Sequence, residues 1–422
     1  MKNIRSFKSP YIYQVNSSQG YPDAYLRKLC YNLTLSPHNS NLSLTFLNGI
    51  KIETAPPSSS SSPGDHSPAG TSTRSHRGSA GALGSWQSHL GAVQAIVDKG
   101  LDSALVLEDD VDWDVRLRAQ MRTFAMAART WLYLKDQGRD NDTISLLLDN
   151  PASGVDNNDD NNKSMGSARI YGDGWDVLWL GHCGAALPPT RDEQQQQQQQ
   201  QDSNGPILPP SPPSSSSPLK ITIPNDPTVP AQQHLKPHPF ALRDALADVY
   251  PEHTRVVHGV HANTCSLAYA VSRAGAEKLL ARFRADGFKA QWDIMLREYC
   301  MGQRSVSVVD RDETMNRDEY GEREREREEK GEGEEGKGQE GLVCLTVQPP
   351  LISHHFADAG GGGASVSDIR GQAGGFAGAK TKAGSPYLRL SVQANLKRLL
   401  EEPGSSLDGL VDQLPDDGDP LW

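Results

Sequence analysis

Apolar positions between residues 81 and 135 follow three successive rhythms. Leu83, Trp86, Leu90, Val93 and Val97 return every three or four residues and predict a helix over 85–98, ended by Lys99-Gly100. Ala104-Leu105-Val106-Leu107 then runs without a polar break, the pattern of a strand covered on both faces. It stops at three consecutive acids, Glu108-Asp109-Asp110. Helical spacing resumes through Leu117, Met121, Phe124, Met126, Trp131 and Leu132 and predicts a second helix over 115–134. The order helix, strand, acidic turn, helix is an α/β unit.

The same reading places strands at 11–15 and 42–47 with a short helix over 24–31 between them, a degraded βαβ start occupying 1–53. Further strands are expected at 176–181, 256–259, 266–271 and 343–347. Ser272 is placed to cap a helix over 273–284, and another helical segment begins at 291. Leu388, Val392, Leu396, Leu399 and Leu400 mark a last amphipathic helix. Between these elements the texture is of another kind. Residues 54–80 are rich in Ser, Pro and Gly, and 149–166 in Asn and Asp. Residues 190–236 hold a glutamine run followed by Pro/Ser tracts, 311–340 are almost all charged residues and glycine, and 359–385 are Gly-rich. Such compositions bury too little apolar surface to fold, so these stretches read as disordered. What remains is one domain over 81–401, interrupted by insertions, with roughly 200 foldable residues and a tail at 402–422.

Composition narrows the function. The net charge of −11 leaves no basic field for phosphate backbones, which excludes nucleic acid as the main partner. No apolar run is long enough to span a membrane or to form a signal peptide. The chain as given therefore reads as soluble, and as cytoplasmic if it starts at its natural N-terminus. None of the five cysteines forms a CxxC pair, so a structural zinc site is not expected; Cys183 and Cys265 are either a disulfide or two buried thiols. Asn16, Asn32, Asn41, Asn141 and Asn162 head N-glycosylation sequons.

The acids carry the most chemistry. Open α/β sheets place their ligands at the carboxyl ends of strands, where Glu108, Asp109 and Asp110 fall. Their mutual repulsion is offset either by solvent or by a shared divalent cation. Asp293, set among Trp292, Ile294, Met295 and Leu296, is either a first-turn helix acid or a general base with a raised pKa. His354-His355 follow a strand and two prolines, as a surface pair or as metal ligands. His89 is either a satisfied, semi-buried histidine or a residue lining the cleft.

These blocks, taken in order, resemble glycosyltransferase family 25, which includes lipooligosaccharide and procollagen galactosyltransferases. The resemblance rests on Gly84-Ser85-Trp86-Gln87-Ser88-His89 followed by Leu105-Val106-Leu107-Glu108-Asp109-Asp110-Val111. Later blocks add to it: Leu180-Gly181-His182-Cys183, the run from Tyr269 to Ala276, Trp292-Asp293-Ile294-Met295-Leu296, and Gln348-Pro349-Pro350-Leu351-Ile352 with Ser367-Asp368-Ile369 downstream. The insertions and Trp86 are similar to its filamentous-fungal branch. The resemblance implies a GT-A type nucleotide-sugar-binding fold with a mostly parallel sheet. It implies inverting transfer of a hexose, galactose above all, from a UDP-sugar to a glycan, glycoprotein or glycolipid hydroxyl, with Mn²⁺ or another divalent cation. Carried over by position, Glu108 and Asp110 hold metal and donor diphosphate, supported by Asp109, with His89 beside the donor. Asp293 becomes the base, and His354 or His355 completes the metal shell. The implied location is the ER or Golgi lumen. One family block has no counterpart: no Arg-Arg-x-Asp-Arg follows the first strand, and Arg27-Lys28 stands nearest to it. A degenerate member of this family, acting as a binding or adhesion-type protein, is the alternative expectation.

Overall fold

The computed structural model describes residues 11–15, 43–47, 80–139, 143–146, 170–189, 218–238, 241, 243–302, 341–356, 383–401 and 406–421. The strands are β1 (Tyr11–Val15), β2 (Ser43–Leu47), β3 (Ser103–Glu108), β4 (Val111–Trp113), β5 (Thr143–Ser145), β6 (Val177–Gly181), β7 (Lys220–Ile223), β8 (Arg255–Gly259), β9 (Ala268–Ser272), β10 (Cys344–Gln348) and β11 (Ile352–His354). The helices are α1 (Ala80–Asp98), α2 (Leu117–Asp136), the single turn α3 (Leu246–Val249), α4 (Arg273–Asp286), α5 (Trp292–Cys300) and α6 (Val392–Glu401).

The strands form one open sheet in the order β2-β1-β3-β9-β6-β10-β8-β7-β5, with β11 bridging β6 and β4. This is an α/β protein, but the expected mostly parallel sheet is mixed. β9 runs antiparallel to both β3 and β6, and β8 antiparallel to both β10 and β7. A run of apolar residues reports burial on both faces and carries no information about direction, so the sequence pattern was blind to this.

Burial on both faces is what the structure shows. From β3, Ala104 and Val106 join one core while Leu107 joins the other; from β6, Val177 and Trp179 divide from Leu178 and Leu180 in the same way. The first core is closed by α1, α4 and α5, and the second by α2. Period-2 alternation therefore persists inside an unbroken hydrophobic run, because each face has its own helical layer.

Most predicted elements stand within a few residues of their expected bounds. Ser272 caps α4 by accepting the Gly275 amide at 3.0 Å. Glycine is needed at 275, where an added Cβ would overlap the Asp176 carbonyl as α4 crosses the end of β6. Both Cys183–Cys265 and Cys300–Cys344 are disulfides, the second of which the sequence did not suggest.

Two expectations of disorder are corrected in part, and the expected tail proves to be packed. Within 190–236, Lys220-Ile221-Thr222-Ile223 is a fully buried strand, and Val229, Ala231 and Leu235 are buried after it. Its alternation was hidden by the Pro/Ser tracts around it. At the end of 359–385, Ser385 is completely buried. The tail over 402–422 packs through Leu414, 1% exposed, and its Gln413 donates to the Ser385 and Leu388 carbonyls. The expected helix over 24–31, Arg27-Lys28, the five sequons, the insertions at 149–166 and 311–340, residues 360–363 and Ser367-Asp368-Ile369 lie outside the described residues.

Candidate functional site

β3, β6 and β10 run in one direction, so their carboxyl ends share an edge of the sheet. The loop entering antiparallel β9 arrives at the same edge, where Ala268 pairs with Leu107, which is why distant segments meet the acids there. Glu108 is the last residue of β3, and its amide donates to the Leu267 carbonyl at 3.0 Å. Asp109 and Asp110 make the turn, and the chain returns as β4, paired antiparallel with β11 so that Val111 faces His354.

On one side of the turn, Glu108 is held from below. Ser266 Oγ donates to its Oε1 at 2.7 Å, and His89 Nε2 lies 3.3 Å from the same oxygen. His89 is 1% exposed, stacks on Trp292 at 5.2 Å between ring centroids, and meets the Tyr269 hydroxyl through Nδ1 at 2.9 Å. It therefore supports Glu108 from within the core. Trp292 stacks in turn on Phe283 at 4.1 Å. Asp293 sits in the first turn of α5, and its Oδ2 accepts the Cys265 amide at 2.8 Å. The Cys183–Cys265 bridge pins that same loop. Asp293 and Glu108 are thus linked through the adjacent residues Cys265 and Ser266.

On the other side, Asp110 Oδ2 pairs with His354 Nε2 at 3.0 Å, and the His355 amide donates to the Asp110 carbonyl at 3.0 Å. Burial favours the neutral acid at Asp110, but the charge and hydrogen bond of His354 outweigh it and hold the carboxyl below its ordinary range. Burial likewise opposes charge on His354, and Asp110, with Glu108 and Asp109 behind it, raises its pKa above the usual imidazole value. His355 is pulled down to about 4 by burial and then by the neighbouring His354. Asp109 is 5% exposed and contributes field to His354 from the turn.

Sequence reasoning missed Asp112 and Asp114, which follow the acidic triplet at alternate positions. Asp112 is wholly buried; its Oδ1 accepts the Trp113 and Gln393 amides, and its Oδ2 accepts the Ser385 and Ser391 hydroxyls. Burial pushes its pKa up to about 6, against the four donors that stabilise its charge. Asp114 takes the Leu390 amide and both arms of Arg116. The alternation of acids with Val111 and Trp113 was the available signal: acids on an otherwise apolar strand need buried partners.

The fit to a divalent cation is partial. The oxygen of Asp110 and the nitrogen of His354 stand 3.0 Å apart, the separation of neighbouring ligands that bind one ion at about 2.1 Å. Asp110 Oδ1 and His354 Nδ1 are buried with no hydrogen-bond partner. Glu108, by contrast, has Oε1 committed to Ser266 and His89. Among the described residues, no group of three or more His, Cys, Asp or Glu side chains converges as a ligand set. Two protein ligands suit a cation whose remaining positions are filled by phosphate oxygens and water.

Compared with known proteins, the chain matches no family model and no curated sequence. Among the described residues, no helix is long and apolar enough to cross a membrane.

Proposed function

We propose that the protein is a metal-assisted glycosyltransferase of GT-A type, transferring a hexose, galactose in the first instance, from a UDP-sugar to a hydroxyl acceptor. One observation carries the reading: Asp293 and His354, far from Glu108 and Asp110 in sequence, gather with them at the carboxyl-end edge of a buried α/β sheet, where such sheets bind ligands. In this reading Asp110 and His354 hold the divalent cation, Mn²⁺ foremost. When bound, the cation stabilises the charge that grows on the leaving diphosphate. Glu108, locked by Ser266 and His89, keeps a fixed carboxylate beside the donor instead of serving as a ligand through Oε1. Asp293 is the base for the acceptor proton, set at a helix N-terminus and anchored through the Cys265 amide. The two disulfides support folding in an oxidising compartment such as the ER or Golgi lumen.

The alternative is a catalytically degenerate member that binds ligands without turning them over. It is favoured by the absence, among the described residues, of a third metal-ligating side chain. UDP-galactose transfer and hydrolysis, with and without Mn²⁺, test the first reading on wild type and Asp110→Ala. A loss of at least a hundredfold in the variant is expected, about 2.7 kcal/mol of transition-state stabilisation. Equal rates would sink the catalytic reading. Calorimetric binding of UDP with Mn²⁺ but no turnover would favour the degenerate one.

A further inference from the structure

The loop between β8 and β9 is tied to the end of β6 in two ways. Backbone pairing holds its middle: the Cys183 amide donates to the Thr264 carbonyl at 2.8 Å, and the Thr264 amide to the Gly184 carbonyl at 3.0 Å. That pairing stops at Thr264. The next two residues are the ones that touch the acids, Cys265 through its amide on Asp293 and Ser266 through its hydroxyl on Glu108. Cys265 is fixed there by its bridge to Cys183, and its carbonyl shares the Trp179 indole proton with the Gly181 carbonyl. Its φ is 61°, in the left-handed region that a residue with a side chain adopts only where its surroundings impose it. That torsion sets the angle between the amide serving Asp293 and the chain that carries Ser266 to Glu108. Once φ relaxes to negative values, the two contacts cannot both persist. The second bridge is placed differently. Cys344 is 5% exposed within the core closed by α1, α4 and α5, whereas Cys183 and Cys265 are both only partly buried, at the margin of the other core.

We propose that the Cys183–Cys265 bridge is a thiol–disulfide switch for the candidate site: oxidised, it seats Cys265 and Ser266 on Asp293 and Glu108, and reduced, it releases that double contact. The reductant is a dithiol. One of its thiolates attacks a bridge sulfur, the S–S bond breaks, a mixed disulfide forms and one cysteine leaves as thiolate. The second thiol then displaces the other cysteine and closes the reductant's own disulfide. Two electrons pass from the dithiol to the bridge, and its two thiol protons end on Cys183 and Cys265. A partly exposed bridge with a strained cysteine opens ahead of one set in the core, so Cys300–Cys344 serves as an internal reference. The switch acts on the geometry of Asp293 and Glu108, whichever reaction they serve, and so stands apart from the transferase reading.

The test equilibrates the wild-type chain against increasing dithiothreitol. Alkylation of free thiols, read by peptide mass spectrometry, reports which bridge has opened, and hydrogen exchange reports the Cys265 amide. Cys183 and Cys265 should be labelled at about tenfold lower dithiothreitol than Cys300 and Cys344. In step with that labelling, exchange at the Cys265 amide should quicken by about tenfold or more while β3 and β9 stay protected, and reoxidation should reverse it. Cys183→Ser should show the fast exchange without any reductant. Opening of Cys300–Cys344 first or at the same dithiothreitol overturns the switch. So does unchanged exchange at the Cys265 amide once its bridge is open, whether by reduction or in Cys183→Ser. Loss of protection in β3 and β9 at the same step also overturns it, because the bridge is then a staple of the whole fold.

Discussion

Glu108 and Asp110 are two residues apart, yet opposite kinds of structure hold them. Glu108 rests on the hydrophobic core through His89, Trp292 and Phe283, a column of stacked rings that continues the packing of α1, α4 and α5. Asp110 belongs to a polar assembly in which β4, β11 and the segment from Ser385 to α6 are joined by carboxylates to hydroxyls and amides. One half is positioned by shape and apolar contact, the other by polar contacts to histidines and serines from far along the chain, 273 and 279 residues away for the two serines on Asp112. A short acidic motif can thus serve as a hinge between two supports that fail in different ways. Packing gives way to cavities, and a buried polar assembly to a missing partner.

The largest test of this contrast is Asp112→Ala. It removes the acceptor of four buried donors and should cost about 3–5 kcal/mol, measured by urea unfolding. If packing alone held the C-terminal segment, the cost would fall to that of a surface change, within roughly 0.5 kcal/mol. On the Glu108 side, the Cys265→Ser/Cys183→Ser double variant opens a bridge of sequence separation 82 and should cost about 2–4 kcal/mol. It should also loosen Asp293 and Glu108 together, because the Cys265-Ser266 loop contacts both. Slower hydrogen exchange at Cys265 and Ser266 in the variant than in wild type would contradict that coupling.

The smallest expected effect is a dependence on pH. The folded state lowers the pKa of Asp110 and raises that of His354, so their pair contributes fully between the unfolded values, above 3.8 and below 6.5. The contribution is lost in acid as the pH falls through Asp110's lowered value, and in base as the pH rises through His354's raised one. Because Asp110 is 35% exposed, the pair stabilises by about 1 kcal/mol or less. The difference in melting temperature between wild type and His354→Ala should be greatest inside that window. A difference that stays constant to pH 9 would mean that the pair is not ionic.

Much of the frame was legible in the sequence, and the reasons are local. Period 3.6 marked α1, α2 and α6, and a continuous apolar run marked β3, β6 and β10, because each must bury a fixed set of side chains whatever its partners are. Ser272 announced its cap, and the acids after Leu107 announced a strand end. β7 was obscured by the prolines and serines around it, and the segment after 383 by the glycines before it. Composition averages over a window, whereas four or five residues are enough to make a strand.

The sequence by itself determined the longer helices and most of the central strands, that the domain is α/β, and that acids crowd the end of one buried strand. Those properties follow from backbone periodicity and from the cost of burying polar groups. Only the tertiary structure decided strand direction, the pairing of Cys300 with Cys344, and the division of labour among the acids. Glu108 went to Ser266 and His89, Asp110 to His354, and Asp112 to two serines near the far end of the chain. Hydrogen bonds and ion pairs act over about 3 Å, so their partners are settled by which loops arrive at the edge of the sheet, and a residue's neighbours in the chain do not reveal that.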